Sequence, residues 1–164
     1  MRVCLVYDCL FPYTVGGAER WYRNLGERLA PLRDRGVMVV ASGNVVHNLR
    51  LVDWAQKANG TDWAHRFDEA ARSAMTTDPH KVLELQLHPD VQLAVPTPDH
   101  FLPLLYLAGL SAAAGRPAEV LVDGYAYGSL SMTSYTLDLH CELADLPDDG
   151  PAELPDAPPD EANI

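Results

Sequence analysis

Two short apolar runs, residues 2–7 and 37–40, most constrain the fold of this 164-residue chain. Both contain β-branched residues without the polar alternation of a half-buried strand, a pattern typical of buried parallel strands. Between them, residues 18–30 carry apolar side chains at helical spacing after a Gly-Gly turn, which predicts a helix with one apolar face. A strand, a turn, a helix and a second strand together predict an α/β fold.

Further elements follow downstream. Helices are predicted over residues 62–75 and 80–87, and strands over residues 119–122 and 129–135. Thr97 is a good N-cap and Pro98 suits the first helical position. The sequence therefore predicts a helix that starts there and continues to residue 110, with His100 in its first turn.

The last part of the chain differs from the rest in composition. No Lys or Arg follows Arg116, whereas Asp, Glu and Pro accumulate after residue 137 without a helical or strand period. Too little apolar surface is present there to offset the entropy lost on ordering. Residues 137–164 are therefore predicted to form an acidic, Pro-rich, disordered tail.

Charge and hydropathy exclude several function classes. The net charge of −11 repels phosphate backbones, so nucleic acid is not expected as a partner. Every apolar run is shorter than the ~18–20 residues that cross a bilayer, and the N-terminus is apolar too briefly for a secretory signal. We expect a cytoplasmic protein with no membrane partner.

Two of the six histidines lie where α/β proteins place functional side chains. His47 follows a Ser-Gly-Asn turn after the strand 37–40, and such folds gather their sites at the carboxyl ends of strands. His100 falls in the first turn of the predicted helix, where the macrodipole disfavours the imidazolium and favours the neutral, metal-binding ring. The other four are interpreted as surface or loop residues: His65, His80, His88 and His140.

Two imidazoles do not complete a metal site, since a stable one has three or four protein ligands. Asp99, adjacent to His100, is one candidate for a further ligand or for a supporting carboxylate. His88 or Asp90 is another candidate if their loop folds back. The residues alone leave this choice open.

Residues from about 29 to 135 resemble the C-terminal part of the class III extradiol dioxygenases of the 4,5-DOPA dioxygenase type. The motifs that carry the resemblance are GVMVVASGNVVHNLR (36–50), DWA (62–64), FD (67–68), LAVPTPDHFLPLLY (93–106) and GYAYGSLSM (124–132). The resemblance implies a partial mixed-sheet dioxygenase fold with flanking helices. It also implies ring opening of a catechol-type substrate by dioxygen with a divalent metal, Fe(II) or Zn(II).

The same resemblance assigns roles to the two histidines. His47 matches a residue that acts as acid–base catalyst or metal ligand, and His100 matches a metal ligand. The family's other two metal histidines belong to Ser-His-Gly and Ala-His-Trp type motifs, and neither motif exists in this chain. The chain alone is therefore predicted to be a weak or inactive enzyme.

In the family those two motifs belong to the N-terminal half of the protein. In its place, residues 1–30 of this chain resemble the start of a nucleotide-sugar-dependent glycosyltransferase, through a strand and the segment YTVGGAER (13–20). The predicted organisation is a glycosyltransferase-like segment (1–30), a partial dioxygenase domain (31–136) and the tail (137–164). Two alternative functions stay open. One is a glycosyltransferase remnant, and the other is a non-catalytic interaction protein whose sheet is completed by a partner or by a second copy in a homo-oligomer.

Overall fold

A parallel strand pair begins the fold. The computed structural model describes residues 28–138 and the backbone of residues 2–6. Strand β1 (Arg2–Val6) lies parallel to β2 (Val37–Ala41), as the two apolar runs predict. Residues 28–34, in the connection between them, are helical (α1); they overlap the end of the predicted helix 18–30 and continue four residues beyond it. Its residues 18–27 lie outside the described part of the chain.

A helical layer forms the main core. Its members are α2 (Asp62–Thr77), a 3-10 helix (Pro79–Leu87), α3 (Val91–Ala94) and α4 (Leu102–Ala114). Phe67 and Met75 from α2 are fully buried, and they pack with Val82, Leu85 and Ala108 of the neighbouring helices. The helices predicted over 62–75 and 80–87 are confirmed, the second with 3-10 rather than α geometry.

Helix α4 starts later than the predicted position at Pro98. It begins at Leu102, so Pro103 lies in the first turn, where its missing N–H has no helical partner to lose. A helix from Pro98 would place Pro103 in its interior and remove one backbone hydrogen bond. His100 therefore precedes the helix, and its predicted place in a first helical turn is wrong.

The strands of the C-terminal half form two antiparallel pairs. Strand β3 (Glu119–Val122) pairs with β6 (Ser134–Thr136), and the short strands β4 (Tyr125–Ala126) and β5 (Leu130–Ser131) form a hairpin between them. The single strand predicted over 129–135 is therefore two strands. The break falls at residues 132–133, where the chain leaves one partner strand for the other.

No helix in the described ranges is long and apolar enough to cross a membrane. The predicted tail is described only to Asp138, and residues 139–164 lie outside the described part. The mixture of helices with small parallel and antiparallel sheets confirms the predicted α/β class.

Candidate functional site

His47 and His100 are in direct contact. Their ring centroids lie 3.7 Å apart with the planes inclined by 28°, so the two imidazoles are stacked. Within the described residues, no ring nitrogen of either histidine has a hydrogen-bond partner. The sequence singled out both residues from separate motifs, and the fold brings them together as one unit, called here the imidazole pair.

The surroundings of His47 favour its neutral form. Partial burial lowers the pKa of His47, and charge on the neighbouring His100 lowers it further, while the carboxylate of Asp99 acts in the opposite sense. A neutral imidazole has a free lone pair, so it can accept a proton or bind a metal ion near neutral pH.

Gly43 and Asn44 explain how the loop before His47 reaches His100. A Cβ on Gly43 would lie 2.3 Å from the His100 carbonyl oxygen and 2.7 Å from Pro103 Cγ, so only glycine permits this approach. The backbone N–H of Asn44 donates to the same His100 oxygen at 2.9 Å. The Asn44 side-chain amide donates to the Ser131 carbonyl at 2.8 Å, which ties the loop to β5.

The chain after His47 is held on two sides. His47 donates its backbone N–H to Ala94 at 2.9 Å and forms an antiparallel bridge with Leu130. Asn48 is buried, its side-chain amide donates to the Leu93 carbonyl at 2.8 Å, and its own carbonyl accepts from the Ser129 hydroxyl at 2.8 Å. The backbone that carries His47 is therefore fixed by contacts with two separate segments.

A cleft of about 610 Å³ extends from His100 between β2 and α4. The side chains that β2 and α4 contribute to its walls are mostly apolar, and polar side chains from other segments, among them Arg33, Tyr135 and Asp138, line the rest. The Tyr135 hydroxyl is buried without a partner in the described chain, and burial together with the nearby Asp68 raises the pKa of Tyr135. The volume is in the range of pockets that accept small organic ligands.

The described residues supply only part of a metal site. They contain no group of three or more His, Cys, Asp and Glu side chains placed to hold a metal ion. Asp90 binds Arg66 through both carboxylate oxygens, at 2.8 and 3.0 Å, and its N–H donates to His88 Nδ1 at 3.1 Å. Asp90 is thus bonded to both Arg66 and His88, and the idea that His88 or Asp90 completes the site is not supported. A divalent metal would fit the imidazole pair only as part of a larger ligand set.

One buried polar cluster was missed by sequence reasoning. Asp68 of α2 is fully buried and accepts hydrogen bonds from Ser131 Oγ at 2.5 Å, Thr133 Oγ1 at 2.8 Å and the Tyr125 hydroxyl at 3.1 Å. Arg72 lies 3.9 Å from the same carboxylate. We call these five residues the Asp68 network. The sequence does contain one indication of this cluster. Asp68 lies one turn after Ala64, within the apolar stripe of α2, where a charged residue is unusual.

With the fold and the pair established, the comparisons identify the class of protein. Residues 2–138 match the family described as the catalytic LigB subunit of aromatic ring-opening dioxygenase, and the chain belongs to this family. The resemblance to extradiol dioxygenases is thereby confirmed at family level. The match includes residues 2–30, for which the glycosyltransferase-like origin stays a prediction.

Individual relatives agree with this assignment. The chain is 42% identical over 118 residues to "4,5-DOPA dioxygenase extradiol" of Escherichia coli K12, covering 70% of this chain and 43% of the relative. It is 31% identical over 121 residues to the protein of that name from Beta vulgaris, covering 68% and 41%. A crystal structure of an uncharacterized Escherichia coli K12 protein matches with a TM-score of 0.63 and 41% identity, over 70% of this chain and 48% of the other. The chain thus spans less than half the length of these relatives.

Proposed function

We propose that this chain provides part of the active site of an extradiol dioxygenase that opens a catechol-type aromatic ring with dioxygen. The observation that carries the proposal is the imidazole pair, whose ring nitrogens have no partners among the described residues and whose His100 lines the cleft between β2 and α4. An unpaired imidazole at a cleft is suited to metal binding or proton transfer.

In this proposal His47 either takes the proton of a catechol hydroxyl or binds the metal, since its single lone pair serves one role at a time, and His100 is a metal ligand. The lowered pKa of His47 supports the first role, because it keeps the ring neutral and ready to accept a proton. A divalent metal, Fe(II) or Zn(II), would supply Lewis acidity and a common point of attachment for the aromatic diol and dioxygen. The apolar side chains that β2 and α4 contribute to the cleft suit the face of a planar aromatic ring.

The remaining ligands are proposed to come from outside the described residues, either from the same chain or from a second polypeptide. Two imidazoles alone bind Fe(II) or Zn(II) loosely, so we propose weak or absent activity for the isolated chain. The division into a segment (1–30), a partial dioxygenase domain (31–136) and a tail (137–164) belongs to the same proposal, as does a cytoplasmic location.

Metal binding tests this function directly. The purified chain, a His100→Ala variant and a His80→Ala control would be compared for Fe(II) and Zn(II) content and affinity. His80 is exposed and lies in the 3-10 helix, in neither of the two motifs that carry the pair, so its loss should leave metal binding unchanged. We expect metal bound to the wild type and to the control but lost from His100→Ala, followed by a catechol-cleavage assay on the metal-loaded protein. Equal metal binding in all three proteins would reject the proposal. No metal in any of them would reject a ligand set contained in this chain and would leave a second polypeptide as the source of the missing ligands.

A second candidate is supported by the surface of β3. Leu121 and Val122 are 40% and 49% exposed, and β3 pairs with a strand on one side only within the described residues. An apolar strand with an uncovered edge favours addition of a partner strand, including one from a second copy. Light scattering over a range of concentrations tests this candidate, since a constant monomer mass would rule out self-association through β3.

A further inference from the structure

Stability alone does not explain why a carboxylate, Asp68, is buried in the core. Taking a carboxylate out of water costs several kcal/mol before any partner is counted, and replacing such groups by apolar ones is often neutral or stabilising. Here the carboxylate is fully buried in α2, inside the apolar face that packs on the core. Its three hydroxyl partners all come from the β4–β5 hairpin and the residues directly after it. Asp68 therefore fixes that hairpin against α2.

Ser131 connects this carboxylate to both histidines. Its hydroxyl donates to Asp68, its backbone N–H donates to the Val46 carbonyl at 3.0 Å, and its carbonyl accepts from the Asn44 side chain. Val46 is the residue before His47. The Asn44 backbone N–H is bonded to the His100 carbonyl. A displacement of Ser131 would thus be transmitted to the backbone of both members of the imidazole pair.

Thr133 provides a comparison within the same network. It donates to the other oxygen of Asp68 and, through its backbone N–H, to the Ser131 hydroxyl at 3.2 Å. Neither bond reaches residues 44–47. Thr133 and Ser131 are both buried and each gives one hydroxyl to one carboxylate. They differ in that only Ser131 also holds the loop of the pair.

We propose that Asp68 is a positioning residue for the imidazole pair, acting through the Ser131 hydroxyl to hold the loop on which the stacking of His47 and His100 depends. The inference rests on the proposed function for its catalytic meaning, but the geometry it asserts can be measured without metal or substrate. Stacked aromatic rings displace each other's ring-proton resonances upfield, so the stacking has its own spectroscopic signature.

The test uses NMR of the full chain, free of metal and at one fixed pH, on Ser131→Ala and Thr133→Val. The ring-proton resonances of the pair are assigned from their disappearance in His47→Ala and His100→Ala. In Ser131→Ala both sets are expected to lose most of their upfield displacement, whereas in Thr133→Val they should stay in place. Both variants should show comparable losses in thermal midpoint, since each removes one buried hydroxyl from the same carboxylate.

Resonances that stay in place in Ser131→Ala, or that move equally in both variants, would overturn the proposal, because the network would then act only on stability. Should Ser131→Ala fail to fold, Ser131→Cys replaces it. The cysteine thiol is of similar size to the hydroxyl and is a weak hydrogen-bond donor. The ring-proton resonances are therefore expected to lose part of their upfield displacement, less than in Ser131→Ala.

Zn(II) affinity, measured by competition with a chromophoric chelator, separates this inference from the proposed function. Where the chain binds Zn(II), Ser131→Ala should weaken binding by about 10- to 100-fold, the usual effect of losing a group that orients a ligand, and Thr133→Val should not. An absence of Zn(II) binding in the wild type would reject the form of the proposed function in which this chain holds the metal by itself. The NMR comparison would still decide whether Asp68 positions the pair.

Discussion

The imidazole pair and the Asp68 network are linked through Ser131, and they differ in how far their polar groups are hydrogen-bonded. Asp68 is fully buried, and its carboxylate is satisfied by three hydroxyls. His47 and His100 are only partly buried, and within the described residues their rings contact each other without hydrogen bonds to any side chain. Saturated groups hold a structure in place, and groups with spare bonding capacity are available to a ligand. We therefore infer that the Asp68 network stabilises the structure and that the imidazole pair is available for binding and catalysis.

The largest effect expected from this comparison is on stability. Asp68→Ala leaves three hydroxyls, two of them on buried residues, without their acceptor and removes a carboxylate near Arg72, so the free energy of unfolding should fall by about 3–5 kcal/mol. His100→Ala removes a stacked, half-buried ring and should cost about 1 kcal/mol. Urea unfolding of both variants measures the two values. Similar losses would break the distinction between a supporting and a chemical region.

Gly43→Ala should have the next largest effect, and it acts on the pair directly. The added Cβ would overlap the His100 carbonyl oxygen, which forces the loop or the start of α4 to move, at a cost of about 1–3 kcal/mol. Gly36→Ala is the matched control, since Gly36 has open space around it and only its positive φ of 70° opposes a side chain. We expect Gly43→Ala to alter the ring-proton resonances of His47 and His100 and Gly36→Ala to leave them unchanged. If the two substitutions act alike, the close approach at Gly43 is not what places the pair.

Two tyrosines of similar setting sharpen the comparison further. The Tyr125 hydroxyl donates to Asp68, whereas the Tyr135 hydroxyl is buried without a partner in the described chain. Tyr125→Phe should therefore lower the unfolding free energy by about 1 kcal/mol, and Tyr135→Phe should leave it unchanged or raise it slightly. Denaturant midpoints of the two variants give the sign of each change. A clear loss in Tyr135→Phe would reveal a bond to this hydroxyl from a part of the chain outside the described residues.

Sequence patterns predicted the apolar framework well and the polar contacts poorly. The strand at Val37–Ala41 follows from its apolar, β-branched run, and the helix at Asp62–Thr77 follows from the helical spacing of its apolar residues. His47 and His100 were found from their separate motifs. Their stacking was not predictable, since it depends on Gly43 and Asn44 meeting a residue more than fifty positions away.

The start of α4 and the role of Asp68 were missed for a related reason. Thr97 and Pro98 make a good local helix start, but Pro103 also favours the first turn of a helix. One helix cannot have both prolines in its first turn, and α4 begins at Leu102, next to Pro103. Asp68 looks like an ordinary polar helical residue until the hydroxyls of Ser131 and Thr133, more than sixty positions later, are brought to it. Local patterns carry no information about such partners.

The smallest effect concerns Asp123, which binds Arg72 at the outer edge of the Asp68 network. The hydrogen bond from Arg72 lowers the pKa of Asp123, so this carboxylate adds stability above its ordinary titration range and loses that contribution as pH falls through the lowered folded value. The side chain is 53% exposed, so solvent screening should limit the effect to about 1 kcal/mol or less. The difference in unfolding free energy between wild type and Asp123→Asn should be constant near neutral pH and shrink below about pH 5. A difference that persists undiminished into acid would mean that Asp123 acts by packing, and that Arg72 serves the buried Asp68 without help from this exposed carboxylate.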